Sequence, residues 1–264
     1  MTAIALTIAG SDSSGGAGIE ADLKTFSALG VYGAAVITAL TAQNTGGVFG
    51  IHDVPADFVA AQINAVFTDL DVGAVKIGML ANSSAIDVVA AALDRYRPRN
   101  VVLDPIMIAS SGERLLREDA IGRLRELVRR VRVITPNLPE AAALLDTPPA
   151  RDEDEMRAQA QKLLTLGAGA ALIKGGHGSG TESVDLLVDA NTCLRLAAPR
   201  LATKNTHGTG CTLASAVAAG LAKGLPLETA AREAKAYVSA AIAAADRLEV
   251  GSGRGPLHHF HAWW

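Results

Sequence analysis

Along most of the chain, short apolar runs alternate with longer stretches in which apolar positions recur every three to four residues. Strands answer to the first pattern and amphipathic helices to the second, so the alternation predicts βαβ units and a mainly parallel sheet. Buried strands are expected at residues 3–9, 34–40, 74–77, 101–103, 131–135 and 170–173, with a short extended segment at 48–54. A first helix carries Ile19, Leu23 and Phe26 on one face and stops at Gly30. Pro55 opens a second, with Phe58, Ile63, Val66, Phe67 and Leu70 inward, and Asn82 or Ser83 caps a third that reaches Tyr96. Further helices are expected at 118–130, 152–166, 212–220 and 227–248; the last two are rich in small residues, which implies close packing. Residues 183–188 and 193–196 flank Asp189-Ala190-Asn191-Thr192 and predict an antiparallel hairpin at one sheet edge. No repeat, linker or low-complexity stretch divides the pattern, so residues 1–264 are read as one α/β domain.

The chemistry collects where strands end. In open α/β sheets, ligands sit at the carboxyl ends of the strands. The first such end, residues 10–18, is a Gly/Ser turn without the spacing of a P-loop or of a dinucleotide fold. Asp22 lies one helical turn further on, where it either points back to that mouth or faces solvent. Gln43 follows the second strand in a polar loop; its amide either serves a heterocycle bearing an amino group beside a ring nitrogen or is an ordinary loop group. Met79 reads as core. Asp104 directly follows an apolar strand, a placement that suits phosphate or Mg²⁺ as well as a turn before Pro105. Glu140 falls in the first turn of a helix after Pro136-Asn137-Leu138-Pro139, and Lys174 ends a strand beside two glycines, a natural point charge for phosphate.

The segment Asn205-Thr206-His207-Gly208-Thr209-Gly210-Cys211-Thr212 runs from a loop into an Ala-rich helix. Helix-start N–H groups lack intrahelical acceptors and the dipole adds positive potential, so this is a site for an anion. In that field the Cys211 thiol is expected to ionise easily and to serve as base or nucleophile.

Composition narrows the partners. Apolar residues make up 49% and aromatics 4%, the Ala/Val/Leu/Ile excess of a parallel sheet under small-residue helices. A net charge of -3 supplies no basic surface for nucleic acid or membrane, which points to a small-molecule partner. The start lacks a basic signal-peptide region and no run reaches the roughly 18 apolar residues of a spanning helix, so a cytoplasmic chain with Cys193 and Cys211 reduced is expected. The tail from Gly255 holds three histidines and both tryptophans, read as a docked segment or subunit contact rather than a metal site.

Several blocks in one order resemble the bacterial hydroxymethylpyrimidine/phosphomethylpyrimidine kinases of thiamine biosynthesis, in the ribokinase-like superfamily. They are residues 7–19, 36–40 with Gln43-Asn44-Thr45, Lys76-Ile77-Gly78-Met79-Leu80, Val102-Leu103-Asp104-Pro105, residues 135–140, Lys174-Gly175-Gly176-His177 and 206–212. The resemblance implies a three-layer ribokinase-like sandwich, ATP as donor, Mg²⁺ as cofactor, and two successive transfers to one pyrimidine, in a homodimer. It places the pyrimidine against Gln43, Asp22, Gly10, Ala17, Met79 and Ile106, and the Mg²⁺ waters on Asp104 and Glu140. Lys174 meets the transferring phosphate, Gly208, Thr209, Gly210 and Cys211 form the anion hole, and Thr206 and Asn137 lie on the nucleotide side with Gly208, Gly210 and Lys174. A pyridoxal-type kinase and a non-catalytic sensor of the vitamin precursor are the alternatives. The loops 106–112 and 175–180 are candidates for closure over the substrate.

Overall fold

The computed structural model describes residues 1–109, 112–176 and 180–264; the two candidate closing loops lie partly outside these. The first half runs β1 (Ile4–Ala9), α1 (Gly18–Ala28), β2 (Tyr32–Ile37), β3 (Ala39–Asn44), β4 (Gly47–Asp53), α2 (Ala56–Phe67), β5 (Ala74–Ile77), α3 (Ser83–Tyr96) and β6 (Val101–Leu103). There follow α4 (Ile121–Leu127), β7 (Val133–Ile134), α5 (Leu138–Leu145), α6 (Glu153–Thr165), β8 (Ala170–Lys174), β9 (Glu182–Asp189), β10 (Cys193–Pro199), α7 (Thr209–Ala222) and α8 (Leu227–Ala243).

One eight-stranded sheet has the order β10-β9-β8-β7-β6-β5-β1-β2, parallel except for the β9–β10 hairpin at one edge. Its inner strands β1 and β5–β8 are buried on both faces, which is why they read as continuous apolar runs. Leu6, Ile8, Val75, Ile77, Leu103 and Ile134 pack against Val59, Ile63, Ile86, Leu124, Leu144 and Leu163 of α2–α6. The alternate positions Ala5, Ala74, Val102, Val133 and Leu172 meet Phe26, Val217, Leu221 and Val238 of α1, α7 and α8. This is the expected three-layer sandwich. Helix α7 is buried around nearly its whole circumference; a Cβ on Gly220 would come within 2.8 Å of Ala230 Cβ, so the small residues do set the close approach of α7 and α8.

Three expectations change. Residues 34–40 are not one strand: at Thr38 the chain leaves the sheet, and β3 pairs only with β4 in a separate two-stranded ribbon that includes the supposed loop at Gln43. The turning point is held by Thr38 N–H on Ala9 O, Thr38 Oγ1 on Met79 O and Val54 N–H on Thr38 O. Nothing in the apolar pattern marks it, since both segments are apolar. Helix α2 faces the core with Val59 and Ile63, four residues apart, so Phe58, one position off that stripe, is turned to solvent. Helix α8 ends at Ala243 and a separate 3-10 turn, Ala245–Arg247, completes the predicted length.

Candidate active site

The carboxyl ends of β6, β7 and β8 converge on the first turn of α7. Asp104 follows β6 and is fully buried; its Oδ1 accepts from Lys174 Nζ at 2.6 Å and from Thr135 Oγ1 at 3.2 Å. Its Oδ2 is buried without a hydrogen-bond partner among the described residues. Glu140 comes from α5, whose start is a capping box: Asn137 Oδ1 accepts from Glu140 N–H while Glu140 Oε2 accepts from Asn137 N–H, both at 2.8 Å. The same Oε2 lies 3.8 Å from Lys174 Nζ, at the end of β8. A Cβ on Gly210 would sit 3.2 Å from Lys174 Nζ and 3.6 Å from Asp104 Oδ2, so α7 abuts the cluster through bare backbone.

Two carboxylates thus share one ammonium. Burial, with Asp104 adding repulsion against the help of Lys174, raises the Glu140 carboxyl to about 7. For Lys174, burial disfavours the ammonium, but Asp104 and Glu140 outweigh it and push its pKa up. A buried acceptor with no donor beside a half-neutralised carboxylate is an incomplete arrangement. The hard oxygen donors of Asp104 and Glu140 suit Mg²⁺ and its waters.

Gly208 caps α7 in the left-handed region at φ 82°, and a Cβ there would collide with the carbonyl of Gly16. The first Gly-rich turn and the helix start therefore touch at a point without side chains. Thr209 Oγ1 donates to Thr206 O at 2.7 Å. Cys211 corrects the expectation of an easily ionised thiol: burial raises it to about 11, partly opposed by Lys76 and by the N–H of Gly18. Desolvation outweighs the helix-start field, so the group is a thiol at neutral pH.

Asp22 does not face solvent, the second of the two placements open to it. It is fully buried, and Oδ2 accepts from Lys76 Nζ at 2.8 Å and Thr7 Oγ1 at 2.6 Å while Oδ1 accepts from Ser215 Oγ at 2.6 Å. It joins β1, β5 and α7 through these three donors. Lys76 is its counter-charge: burial opposes the ammonium, but Asp22 foremost, with Cys211 and Asp104, drives its pKa up. The available signal was a lysine inside an apolar strand, Ala74-Val75-Lys76-Ile77.

On the other side of the α7 start, the first turn holds the ribbon. Ser11 N–H donates to Ala39 O, Thr41 Oγ1 to Ser11 O at 2.8 Å, and Ser13 Oγ both donates to Gln43 O and accepts from Gln43 N–H. Gln43 is half-buried there, near His207. Gly10 and Met79 belong to the same wall, the Met79 sulfur 3.0 Å from where a Gly10 Cβ would stand. Ala17 precedes α1 and faces Gly208, and Ile106 lies in the turn after Asp104, donating its N–H to Asp104 O. Asp12, unassigned from sequence, organises this turn. Burial disfavours its charge, but the hydrogen bonds from His207 and Ser14 hold its carboxyl at about 2.

The tail is docked. Gly253 and Arg254 N–H groups donate to Thr45, Gly255 O accepts from His207 N–H, and His259 Nε2 lies 3.0 Å from Thr212 Oγ1 on α7. Among the described residues no three His, Cys, Asp or Glu side chains gather as a metal site, and no helix is long and apolar enough to cross a membrane.

Known proteins bear on this geometry directly. A hydroxymethylpyrimidine/phosphomethylpyrimidine kinase of Rhizobium meliloti is 60% identical over 265 residues, covering 100% of this chain and 99% of that one. The crystal structure of a phosphomethylpyrimidine kinase from Clostridium difficile superposes with a TM-score of 0.81 at 43% identity, over 90% of this chain and 99% of that one. A Bacillus subtilis pyridoxal kinase, solved as an ADP complex, gives 0.91 at 36% identity over 99% of both. The model of the phosphomethylpyrimidine kinases matches residues 12–258, which takes in most of the Gly-rich turn, the carboxylate pair, Lys174, the start of α7 and the start of the docked tail. With that match and a relative alike from end to end, the chain belongs to the phosphomethylpyrimidine kinase family.

Proposed function

We propose that the chain transfers the γ-phosphoryl group of ATP to the hydroxymethyl oxygen of 4-amino-5-hydroxymethyl-2-methylpyrimidine and then to the phosphate of the resulting monophosphate. The observation that carries this is the meeting of Asp104, Glu140 and Lys174 at the side-chain-free first turn of α7. Phosphoryl transfer needs little covalent help from protein; it needs in-line positioning and neutralisation of charge on the moving group. Lys174 and the N–H groups of Gly208 to Cys211 supply that neutralisation. Asp104 and Glu140 fit Mg²⁺, which when bound offsets phosphate charge. Cys211, a buried thiol, contributes through its backbone N–H, and the second step, with an anionic acceptor, needs no base. Gln43, Gly10, Met79, Ala17 and Ile106 surround the pyrimidine side, and Thr206 and Asn137 lie on the ATP side. Exposed Leu40, Phe49 and Ile51 on the β3–β4 ribbon support a homodimer, testable by sedimentation equilibrium.

The decisive assay measures ATP-dependent turnover of the pyrimidine, its monophosphate and pyridoxal, with and without Mg²⁺. Both pyrimidine steps are expected. Turnover of pyridoxal alone would replace this reading with the pyridoxal-kinase one, and tight pyrimidine binding without turnover would make the chain a sensor. Lys174→Ala is expected to lower both steps by about 10²–10³-fold, the scale of losing one group aimed at developing charge; unchanged rates would remove Lys174 from the mechanism.

A further inference from the structure

Gln43 Nε2 lies 3.4 Å from His207 Nε2, and Gln43 Oε1 lies 3.1 Å from Thr41 Oγ1. The two ends of an amide are told apart by their hydrogen-bond partners. His207 Nε2 also lies 2.7 Å from Asp12 Oδ2. Asp12 receives donors on both oxygens: Ser14 N–H at 2.9 Å and Ser14 Oγ at 2.7 Å on Oδ1, and Gly16 N–H at 3.1 Å and Ala17 N–H at 2.9 Å on Oδ2. It is an acceptor throughout, so His207 Nε2 carries a proton directed at it, and a carboxyl held at about 2 agrees. An amide NH₂ facing that nitrogen sets donor against donor.

Turning the amide over removes the conflict. Oε1 then accepts from the His207 Nε2–H that is shared with Asp12. Thr41 Oγ1, whose own proton goes to Ser11 O, accepts from Gln43 Nε2. We infer that Asp12 and His207, with Thr41, are positioning residues that lock the Gln43 amide in one orientation, with its oxygen toward His207, and so select a ligand edge in which an exocyclic amino donor adjoins a ring-nitrogen acceptor. This rests on the reading of Gln43 as the group that meets the pyrimidine.

The consequence is discrimination that a freely turning glutamine lacks. A 4-oxo analogue presents the reverse edge, an acceptor oxygen beside a ring N–H, and a free amide would accommodate it by flipping. The locked amide pairs with the 4-amino compound and leaves donor against donor with the oxo compound, a mismatch that binding sites built on hydrogen bonds reject strongly.

The test compares kcat/KM for 4-amino-5-hydroxymethyl-2-methylpyrimidine and its 4-oxo analogue in the full chain, in His207→Phe, which keeps a flat ring over Gly16 without the N–H, and in His207→Gln, which restores a donor. The wild-type preference for the amino compound is expected to fall about tenfold in His207→Phe, mainly through KM, and to return in His207→Gln. An unchanged ratio in a folded His207→Phe chain, or an equal fall in both variants, overturns the lock. Hydrogen exchange of the Gln43 side-chain N–H protons, followed by NMR without ligand, stands apart from turnover. Protection in the wild type that is lost in His207→Phe supports the lock, and equal rates refute it. A chain that turns over no pyrimidine but shows this protection loses the proposed substrate and keeps the lock.

Discussion

Lys76 and Asp22 show how a charge can be functional in position and structural in role. Both are fully buried, 2.8 Å apart, and their other partners, Thr7 and Ser215, belong to the strand and helix that frame the anion hole. Removing one member of such a pair leaves an unpaired buried charge, a cost of about 3–5 kcal/mol, whereas removing both is far milder. Lys76→Met is therefore expected to lower stability by that amount in urea unfolding, and Lys76→Met with Asp22→Asn to recover most of it. If Asp22 also contacts substrate, Asp22→Asn in a chain that still folds would act mainly on KM. Cys211 makes the complementary case. With its thiol raised to about 11 it should resist iodoacetamide at pH 7.5 while exposed Cys193 reacts, a difference mass spectrometry reads out. Cys211→Ala is expected to lower both phosphorylations by one modest factor, under about tenfold, since the backbone N–H is kept. A loss confined to the first step would show that substrate brings the thiol into proton transfer.

Among the elements, the segment from Gly253 to His259 acts as a strap: it touches the β3–β4 ribbon at Thr45, the loop before the anion hole at His207 and the first turn of α7 at Thr212. Its last anchor is sensitive to acid. Burial foremost, with the nearby charges of Lys24 and the other tail histidines, lowers His259 to about 4 against an ordinary 6.5. Between those values the released tail takes up a proton that the docked tail refuses, so docking is complete above about pH 6.5 and weakens as pH falls toward 4. Both tryptophans lie at the end of this strap, and Trp264 contacts the His258 ring. Their fluorescence anisotropy is expected to fall between pH 6 and 4 before far-UV circular dichroism changes, and His259→Phe to remove that step. Elements of this kind were only partly legible in the sequence. The βαβ order, the edge hairpin and the Asn82 cap follow from local chemistry, as do Asp104 and Lys174 at strand ends and Glu140 in a helix's first turn. The break at Thr38, the outward turn of Phe58 and the burial of Asp22 depend on what packs across the sheet, and no local pattern encodes that.

For the molecule as a whole, the carboxylate proposed for Mg²⁺ works against stability. Glu140 has a folded pKa of about 7 against an ordinary 4.5, so between these values the unfolded chain gives up a proton that the folded chain keeps. Stability from this group therefore falls as pH rises through that window, while that from His259 rises. Without divalent cations the wild-type melting temperature is expected to change little from pH 5 to 6.5. Glu140→Gln should then make it climb with pH, and should stabilise the chain by about 2 kcal/mol at pH 7.5 at the cost of phosphoryl transfer. Parallel melting curves for the two proteins would contradict this. The contact of Gly208 with Gly16 has a consequence of another kind. The two halves of the anion site lie nearly two hundred residues apart in the order of synthesis. In the order of synthesis the Gly-rich turn comes first, then Asp104, Glu140 and Lys174, and α7 only after them, so the proposed triphosphate cradle closes once α7 has reached Gly16. A chain stopped before Gly208 thereby lacks half of the proposed anion site, however complete its carboxylate pair.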